Sequence, residues 1–248
     1  AAARRAVARV AMAATRPPAM AENLLLLVLA ASVVLPTQAQ PRGEPTQGVY
    51  ARVQAAQFRS TGDLDTLASY GFDAPLFGLG YARGPVYAEI AYGTATASAG
   101  RVGVLDADVG TSSSVGLREG RAYRLEAPLA LYFTYRRVQL RDARSLSDFE
   151  VTALGLSGGI AGEITQGRTA FDASLTAGAG LATRNFDGTP GVLYTGIARV
   201  GARVPLGARV AVTTGYRFRF RQWDLGKGNL GVTRRSDLYD YRALDHGV

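Results

Sequence analysis

The stretch FDASLTAGAGL, residues 171–181, alternates without a break between apolar residues and residues that are polar or have almost no side chain. Successive side chains of a β-strand point to opposite faces, so this alternation predicts a strand with one apolar face. The opposite face carries Asp172, two hydroxyl groups and two glycines. Such a face either meets water or lines a polar interior.

The same alternation returns along most of the chain after residue 47. It occurs in segments 49–55, 77–82, 86–93, 125–136, 154–163, 192–204 and 210–221. Stretches rich in Gly, Asp and Ser separate these segments, and no competing period of 3.6 residues interrupts them. The sequence therefore predicts an all-β fold built from antiparallel strands.

The order of features near the start of the sequence is typical of an export signal. Residues 24–35 form an uncharged apolar run, Arg16 supplies a positive charge before it, and Ala39 ends a small-x-small cleavage site. Twelve apolar residues are too few for a membrane-spanning helix, which needs about 20. We therefore expect an upstream segment with a cleavable signal peptide over residues 1–39 and one barrel domain over residues 40–248.

Three features favour a transmembrane barrel over a soluble sandwich or barrel. Export takes the chain out of the cytoplasm, and the segments are about ten residues or longer, enough to cross an outer membrane. Glycines share the charged face, as a narrow barrel interior requires, since small residues there make room for a few large ones. Aromatic residues near segment ends fit interfacial girdles, namely Tyr92, Tyr135, Tyr194, Phe220 and Trp223.

The fold class is thus an antiparallel up-and-down transmembrane β-barrel of eight to ten strands. Tight turns are expected at 84–85, 166–168 and 205–207, and long polar connections at 59–75, 97–120 and 222–239. Short turns lie on the periplasmic side of such barrels, and this rule holds for all three turns only if residues 100–109 form an additional strand. That version has ten strands and an outer loop at 138–148, whereas eight strands remain possible if the middle of the chain is divided less finely.

Composition excludes several kinds of function. Cysteine is absent and His246 is the single histidine, which leaves no thiolate nucleophile and little material for a histidine-based metal site or triad. The pairs Asp63/Asp65 and Asp106/Asp108 lack the closing Glu of a calcium loop, so we interpret them as solvated loop residues. We expect no enzymatic activity, metal or other cofactor.

The net charge of +8 comes almost entirely from arginine, because Lys227 is the single lysine among 28 basic residues. Arginines that alternate along strands behind an export signal point into a barrel rather than along a nucleic-acid groove, so we expect no nucleic-acid partner. Unpaired charges in such an interior are costly, which predicts a network of ion pairs. Its expected members are Arg52, Glu89, Arg124, Glu126, Arg136, Glu163, Asp172, Arg199, Arg203, Arg209, Arg217 and Arg219.

The run YRLEAPLALY, residues 123–132, resembles the Leu-Glu-x-Pro-Leu-x-Leu strand of the outer-membrane β-barrel domain family, which includes porin-like and OmpA/OmpX-like small barrels. With the signal sequence and hairpins, the resemblance covers about residues 20–248. Arginines predicted in loops and ends, such as Arg59 and Arg118, are expected to meet the phosphates of lipopolysaccharide. The resemblance implies residence in the lipid of the cell outer membrane and a final strand that usually ends on an aromatic residue. Because this sequence ends on Val248, we expect the closing strand to be short or missing.

For function we expect a monomer with a structural or surface-interaction role, in which outer loops 59–75, 138–148, 185–191 and 222–239 contact extracellular ligands or surfaces. Two alternatives stay open. The surplus of inward arginines also fits a narrow, anion-preferring pore. A secreted soluble β-barrel that binds a ligand inside is the third possibility.

Overall fold

The chain forms a closed antiparallel barrel in which every strand pairs with its neighbours in sequence. The computed structural model describes residues 47–62, 70–97, 100–140, 149–185, 188–206, 211–226 and 239–247. The strands are β1 Gln47–Gly62, β2 Tyr70–Arg83, β3 Val86–Ala97, β4 Gly100–Glu119, β5 Tyr123–Leu140, β6 Phe149–Gln166, β7 Thr169–Arg184, β8 Pro190–Pro205, β9 Ala211–Leu225 and β10 Tyr239–Gly247. Pairing of β1 with β10 closes the ring. The predicted export signal lies outside the described residues.

The middle of the chain contains the additional strand. Residues 100–109, the segment on which the choice between eight and ten strands depended, form the first half of β4, and β4 pairs along its length with β3 and β5. The ten-strand version is therefore confirmed, and the expectation of a long polar connection over 97–120 is wrong. The connections that follow β1, β5 and β9 are also shorter than predicted, because the strands extend into the predicted loops.

Tight connections gather at one end of the barrel. Gly84 and Gly167 each occupy a turn with positive φ, +57° and +61°, where a side chain would be strained. The ends of β4 and β8 and the starts of β5 and β9 lie at the same end, which we call the short-turn end. The ends of β1, β3, β5, β7 and β9 and the starts of β2, β4, β6, β8 and β10 lie at the other end, which we call the loop end.

The predicted alternation of faces is confirmed. Outward residues such as Phe77, Leu156 and Leu175 are more than 60% exposed, whereas inward residues beside them in sequence are buried or half-buried. Trp223 departs from the prediction, because it has the same parity as the inward Arg219 and Arg221 and is 1% exposed. It therefore lies in the interior and not in an interfacial girdle. In the described part of the chain, no helix has the length and apolar character needed to span a bilayer.

The exterior changes character along the barrel axis. Over most of each strand the outward residues are apolar, but near the loop end they become polar or charged, as at Gln57, Arg59, Arg101, Arg137 and Glu150. Strands β1 and β5 continue for seven and five residues past Ala55 and Tyr135 respectively, counted to Gly62 and Leu140. For tilted strands, these extensions project roughly 15 Å beyond the apolar band of the exterior.

The closing strand is short but present. Strand β10 has nine residues, the fewest of the ten strands, and its register places Tyr239–Gly247 opposite Gly62–Gln54 of β1 and Leu225–Arg217 of β9. Residues of β1 and β9 nearer the short-turn end pair only with β2 and β8 among the described strands.

Candidate functional site: the barrel interior

An apolar plug fills the interior at the loop end. Its centre is a chain of rings: Phe58 stacks on Phe72 with centroids 5.4 Å apart, Phe149 lies 5.1 Å from Phe58, and Trp223 lies 5.2 Å from Phe149. Aliphatic side chains that are 0–1% exposed surround them, namely Leu76, Val102, Val104, Val138, Val151, Leu193 and Leu225. Because β1 and β6 are five places apart in a ring of ten, the contact between Phe58 and Phe149 crosses the whole lumen.

A layer of buried charge lies directly beneath the plug. Arg221 on β9 donates from Nη1 and Nη2 to the two oxygens of Asp106 on β4, at 2.9 and 2.5 Å, and Nη1 also contacts the Thr134 hydroxyl at 3.3 Å. The guanidinium of Arg136 lies 3.9 Å from the same carboxylate. Strands β4 and β9 are again five places apart, so this layer also crosses the lumen.

The aromatic plug and the charge layer are in direct contact. The guanidinium carbon of Arg221 lies 5.4 Å from the Trp223 ring centroid, and that of Arg136 lies 5.8 Å from the rings of both Phe58 and Trp223. These are distances at which the cation is attracted to the face of the ring, and the attraction is stronger in a desolvated site. The interior thus changes from apolar to charged without a gap between the two layers.

Glu89 on β3 is the centre of a second set of ion pairs and hydrogen bonds. It accepts hydrogen bonds from Arg217 at 3.0 and 3.1 Å and from the Tyr50 hydroxyl at 3.1 Å, and it forms an ion pair with Arg52. Arg219 bridges this set to the first, since it donates to Asp108 at 2.5 Å and lies 3.7 Å from Glu89. A charge-assisted network of this kind fixes the relative positions of β1, β3, β4 and β9.

Asp106 and Asp108 were interpreted as solvated loop residues, and that interpretation is wrong. Both belong to β4, face inward and are at most 8% exposed. Arginines on β9 neutralise them, which a loop position would not require. Arg221 was also missing from the predicted network, although it continues the inward series of Arg217 and Arg219. The pair Asp63/Asp65 lies outside the described residues.

The remaining predicted charges pair nearer the short-turn end, mostly with close neighbours. Arg203 donates to Glu163 at 3.0 Å, and Arg199 lies 3.7 Å from Asp172 on the adjacent strand. Arg124 pairs with Glu126, which also accepts a hydrogen bond from Ser114 at 2.8 Å. Since these pairs follow the wall rather than cross the lumen, they leave the centre open. The side chain of Arg209 lies outside the described residues.

Inward tyrosines lie over glycines of the next strand. Tyr50 lies opposite Gly80, Tyr87 opposite Gly110 and Tyr132 opposite Gly155 in the register. A Cβ placed on Gly110 would come within 2.6 Å of the Tyr87 hydroxyl, and one placed on Gly155 within 2.5 Å of the Tyr132 hydroxyl. These glycines thus provide the room for large side chains that the sequence pattern predicted.

Below the charge layer the interior forms a cup with a volume of about 330 Å³. Its lining comes from the short-turn half of the strands and includes Tyr50, Arg52, Tyr87, Arg199 and Arg217. The arginines of the wall are more exposed here than in the layer above, 22% for Arg199 and 25% for Arg217 against 2% for Arg221. The interior is therefore closed at the plug and accessible from the short-turn end.

The described residues hold no cluster of three or more acidic, histidine or cysteine side chains suited to a metal ion.

The exterior of the barrel indicates the environment in which the protein lies. An apolar band around a closed barrel with a charged interior is the surface of a barrel that crosses a membrane with its strands. Single-chain barrels of this type reside in bacterial outer membranes, which is therefore the location of this chain. The apolar exterior does not fit the alternative of a secreted soluble barrel.

No protein-family model and no curated protein sequence matches the chain. Among solved structures, it is similar to the outer membrane protease OmpT from Escherichia coli, with 7% identity, coverage of 86% of this chain and 98% of that chain, and a TM-score of 0.35. Neisserial surface protein A has 13% identity, coverage of 82% and 97%, and a TM-score of 0.29. The translocator domain of the autotransporter NalP from Neisseria meningitidis has 12% identity, coverage of 92% and 94%, and a TM-score of 0.31. Values this low carry no conclusion about family or activity, so the assignment of the fold rests on the strand pairing and exterior of this chain.

Proposed function

We propose that the protein is a non-conducting and non-enzymatic outer-membrane barrel that acts as a rigid scaffold for surface contacts made at its loop end. The observation that carries this proposal is the double closure of the lumen. Rings from β1 and β6 meet 5.1 Å apart, and ion pairs from β4 to β9 cross the same lumen one layer below. An open pore would need a continuous aqueous path through both layers.

The inward arginines support the scaffold rather than the alternative of an anion-preferring pore. In the layer under the plug they contact carboxylates on opposite strands, so their charge holds the wall together and is not presented to a passing ion. The same pairing supports a non-enzymatic role, because these carboxylates bind guanidinium groups and are not placed beside a nucleophile. Four connections, 63–69, 141–148, 185–189 and 226–238, then supply the contact surface.

The exterior near the loop end supports lipopolysaccharide as the lipid partner. Arg59, Arg101 and Arg137 lie where the apolar band of the exterior ends, and in an inserted barrel the charged headgroups would begin there. Guanidinium groups bind phosphate in a planar, two-pronged geometry. A monomer inserted as described would hold these arginines against the phosphates of the surrounding lipid.

Planar bilayer recordings test the proposal. We expect no stable conductance steps from the purified, refolded barrel, while flotation with vesicles and heat-modifiable migration on gels show that the same preparation is inserted and folded. Reproducible conductance steps from inserted protein would overturn the scaffold proposal in favour of the pore, and anion selectivity of those steps would identify the arginines as its lining.

A further inference from the structure

We propose that the cup at the short-turn end is a binding site for a small oxyanion, a phosphate or carboxylate group, held against Arg52 and Arg217. This goes beyond the scaffold role, since a closed lumen needs no ligand. In barrels of this kind the short turns face the periplasm, so the site would bind a periplasmic solute.

The first observation behind the site is the balance of charge around the cup. In the part of the chain that the structure describes, the cup is lined by five arginines and four carboxylates. They are Arg52, Arg124, Arg199, Arg217 and Arg219 with Glu89, Glu126, Glu163 and Asp172. These lining groups carry one positive charge in excess. Excess charge in a poorly hydrated interior is costly, and a bound anion removes that cost.

Arg52 supplies hydrogen-bond donors that the described residues do not use. Its side chain is 7% exposed and lines the cup, and it forms an ion pair with Glu89 through Nη2. Its Nε and Nη1 are buried and have no hydrogen-bond partner among the described residues. Buried donors nearly always have a partner, so these two indicate a missing acceptor.

Arg217 offers a second, more accessible group at the same place. It makes both contacts with Glu89 through Nη2, and a quarter of its side chain is exposed. Two guanidinium groups that share one carboxylate and line one cavity form a cationic floor. Their planar donor arrays match the oxygens of a carboxylate or phosphate better than those of a spherical ion.

The other residues that line the cup indicate what kind of group accompanies the anion in the ligand. Ala82, Pro128, Ala130 and Ile197 line the cup together with the rings of Tyr50 and Tyr87. A volume of about 330 Å³ is at the lower end of the range for small-molecule pockets. The site therefore suits a small anion that carries a short apolar or aromatic body.

Isothermal titration calorimetry of the full barrel in detergent micelles tests the site, with inorganic phosphate and benzoate as separate probes at constant ionic strength set by chloride. We expect saturable binding of one anion per barrel. Tighter binding of benzoate would identify a carboxylate with an apolar body as the ligand class, and tighter binding of phosphate would identify a phosphate group. Absence of saturable binding of either probe would overturn the proposal.

Three variants separate the cup from general attraction of anions to a basic protein. Arg217→Gln should weaken binding at least tenfold, whereas Arg168→Gln makes the same change of charge in the exposed turn after β6 and should leave binding unchanged. Ala130→Phe keeps every charge but fills the cup, and should abolish binding even if Arg217→Gln fails to fold. Equal binding by wild type and Ala130→Phe would show that the anion binds elsewhere and would overturn the site.

Discussion

The two ends of this barrel follow opposite rules. Near the loop end, apolar rings such as Phe58 and Trp223 fill the interior and charged residues such as Arg59 cover the exterior, as in a soluble barrel. Toward the short turns, charges line the interior and residues such as Leu175 cover the exterior, as lipid requires. The outer surface of the same ten strands thus faces water near the loop end and lipid toward the short turns. The Asp106, Arg136 and Arg221 layer lies where the interior changes.

The change explains how a closed lumen and a membrane exterior coexist. Outside the membrane, the hydrophobic effect drives apolar side chains inward and so builds the plug. Inside the membrane, the apolar side chains face lipid. Polar groups therefore occupy the barrel interior, where they must form hydrogen bonds and ion pairs with one another. The charge layer is the most desolvated part of the ionic network, because it lies between the plug and the cup and the side chains of Asp106 and Arg221 are each 2% exposed.

The largest expected effect comes from breaking that layer. Asp106→Asn removes the negative charge that Arg221 and Arg136 contact, in a site where Asp106 is 2% exposed. Loss of one member of a buried ionic network costs about 3–5 kcal/mol, so the free energy of unfolding should fall by about that amount. Denaturant titration in phospholipid vesicles, followed by fluorescence of Trp223, the single tryptophan, measures it.

Glu150→Gln is the matched control for this loss. Glu150 pairs with Arg137 on the exterior at 3.7 Å, with side chains that are 31% and 42% exposed. A half-exposed pair of this kind contributes about 0–1 kcal/mol. Equal losses from the two variants would mean that water reaches the Asp106 layer and that the plug does not seal it.

A second prediction tests where the exterior changes. Leu175→Lys places a charge in the apolar band and should destabilise the inserted barrel by about 2–4 kcal/mol. Gln57→Lys makes the same new charge on the outward face of β1 near the loop end and should change stability by less than about 0.5 kcal/mol. The same titration compares them. A cost of several kcal/mol at Gln57 would place that position inside the membrane and would remove the distinction between the two ends.

The reversal of polarity also determines how much of this fold the sequence could predict. Wherever apolar residues face lipid, the alternation located the strands and their faces correctly, as in 125–136 and 171–181. Near the loop end the apolar residues move to the inward face, so the alternation shifts by one residue. In β4, for example, Val102 and Val104 face inward while Leu105 and Ala107 face outward. A prediction that follows one continuous alternation of apolar and polar residues therefore ends the strand at that shift.

This is why predicted loops such as 59–75 and 97–120 were too long. The same shift explains Trp223, which lies one residue out of phase with the outward Phe218 and Phe220. Most members of the charge network could be named, because polar residues on the inward face of a lipid-facing strand have no other place to lie. Their partners could not, since pairs such as Arg221 and Asp106 join strands on opposite sides of the ring, and the stagger of the strands sets which residues meet.

The smallest expected effect concerns the glycines that make room inside the charged section. A Cβ on Gly110 would lie 2.6 Å from the Tyr87 hydroxyl and 2.7 Å from the backbone oxygen of Leu131, which cannot swing away as a side chain can. Gly110→Ala should therefore cost about 1–3 kcal/mol through overpacking. Gly196 has nothing within 4 Å of its Cβ position, so Gly196→Ala should be neutral or slightly stabilising, because alanine loses less conformational entropy on folding. If both substitutions are neutral in the vesicle titration, the Tyr87 side chain and the β5 backbone at Leu131 both yield to the new methyl group, and the charged section is less tightly packed than the plug above it.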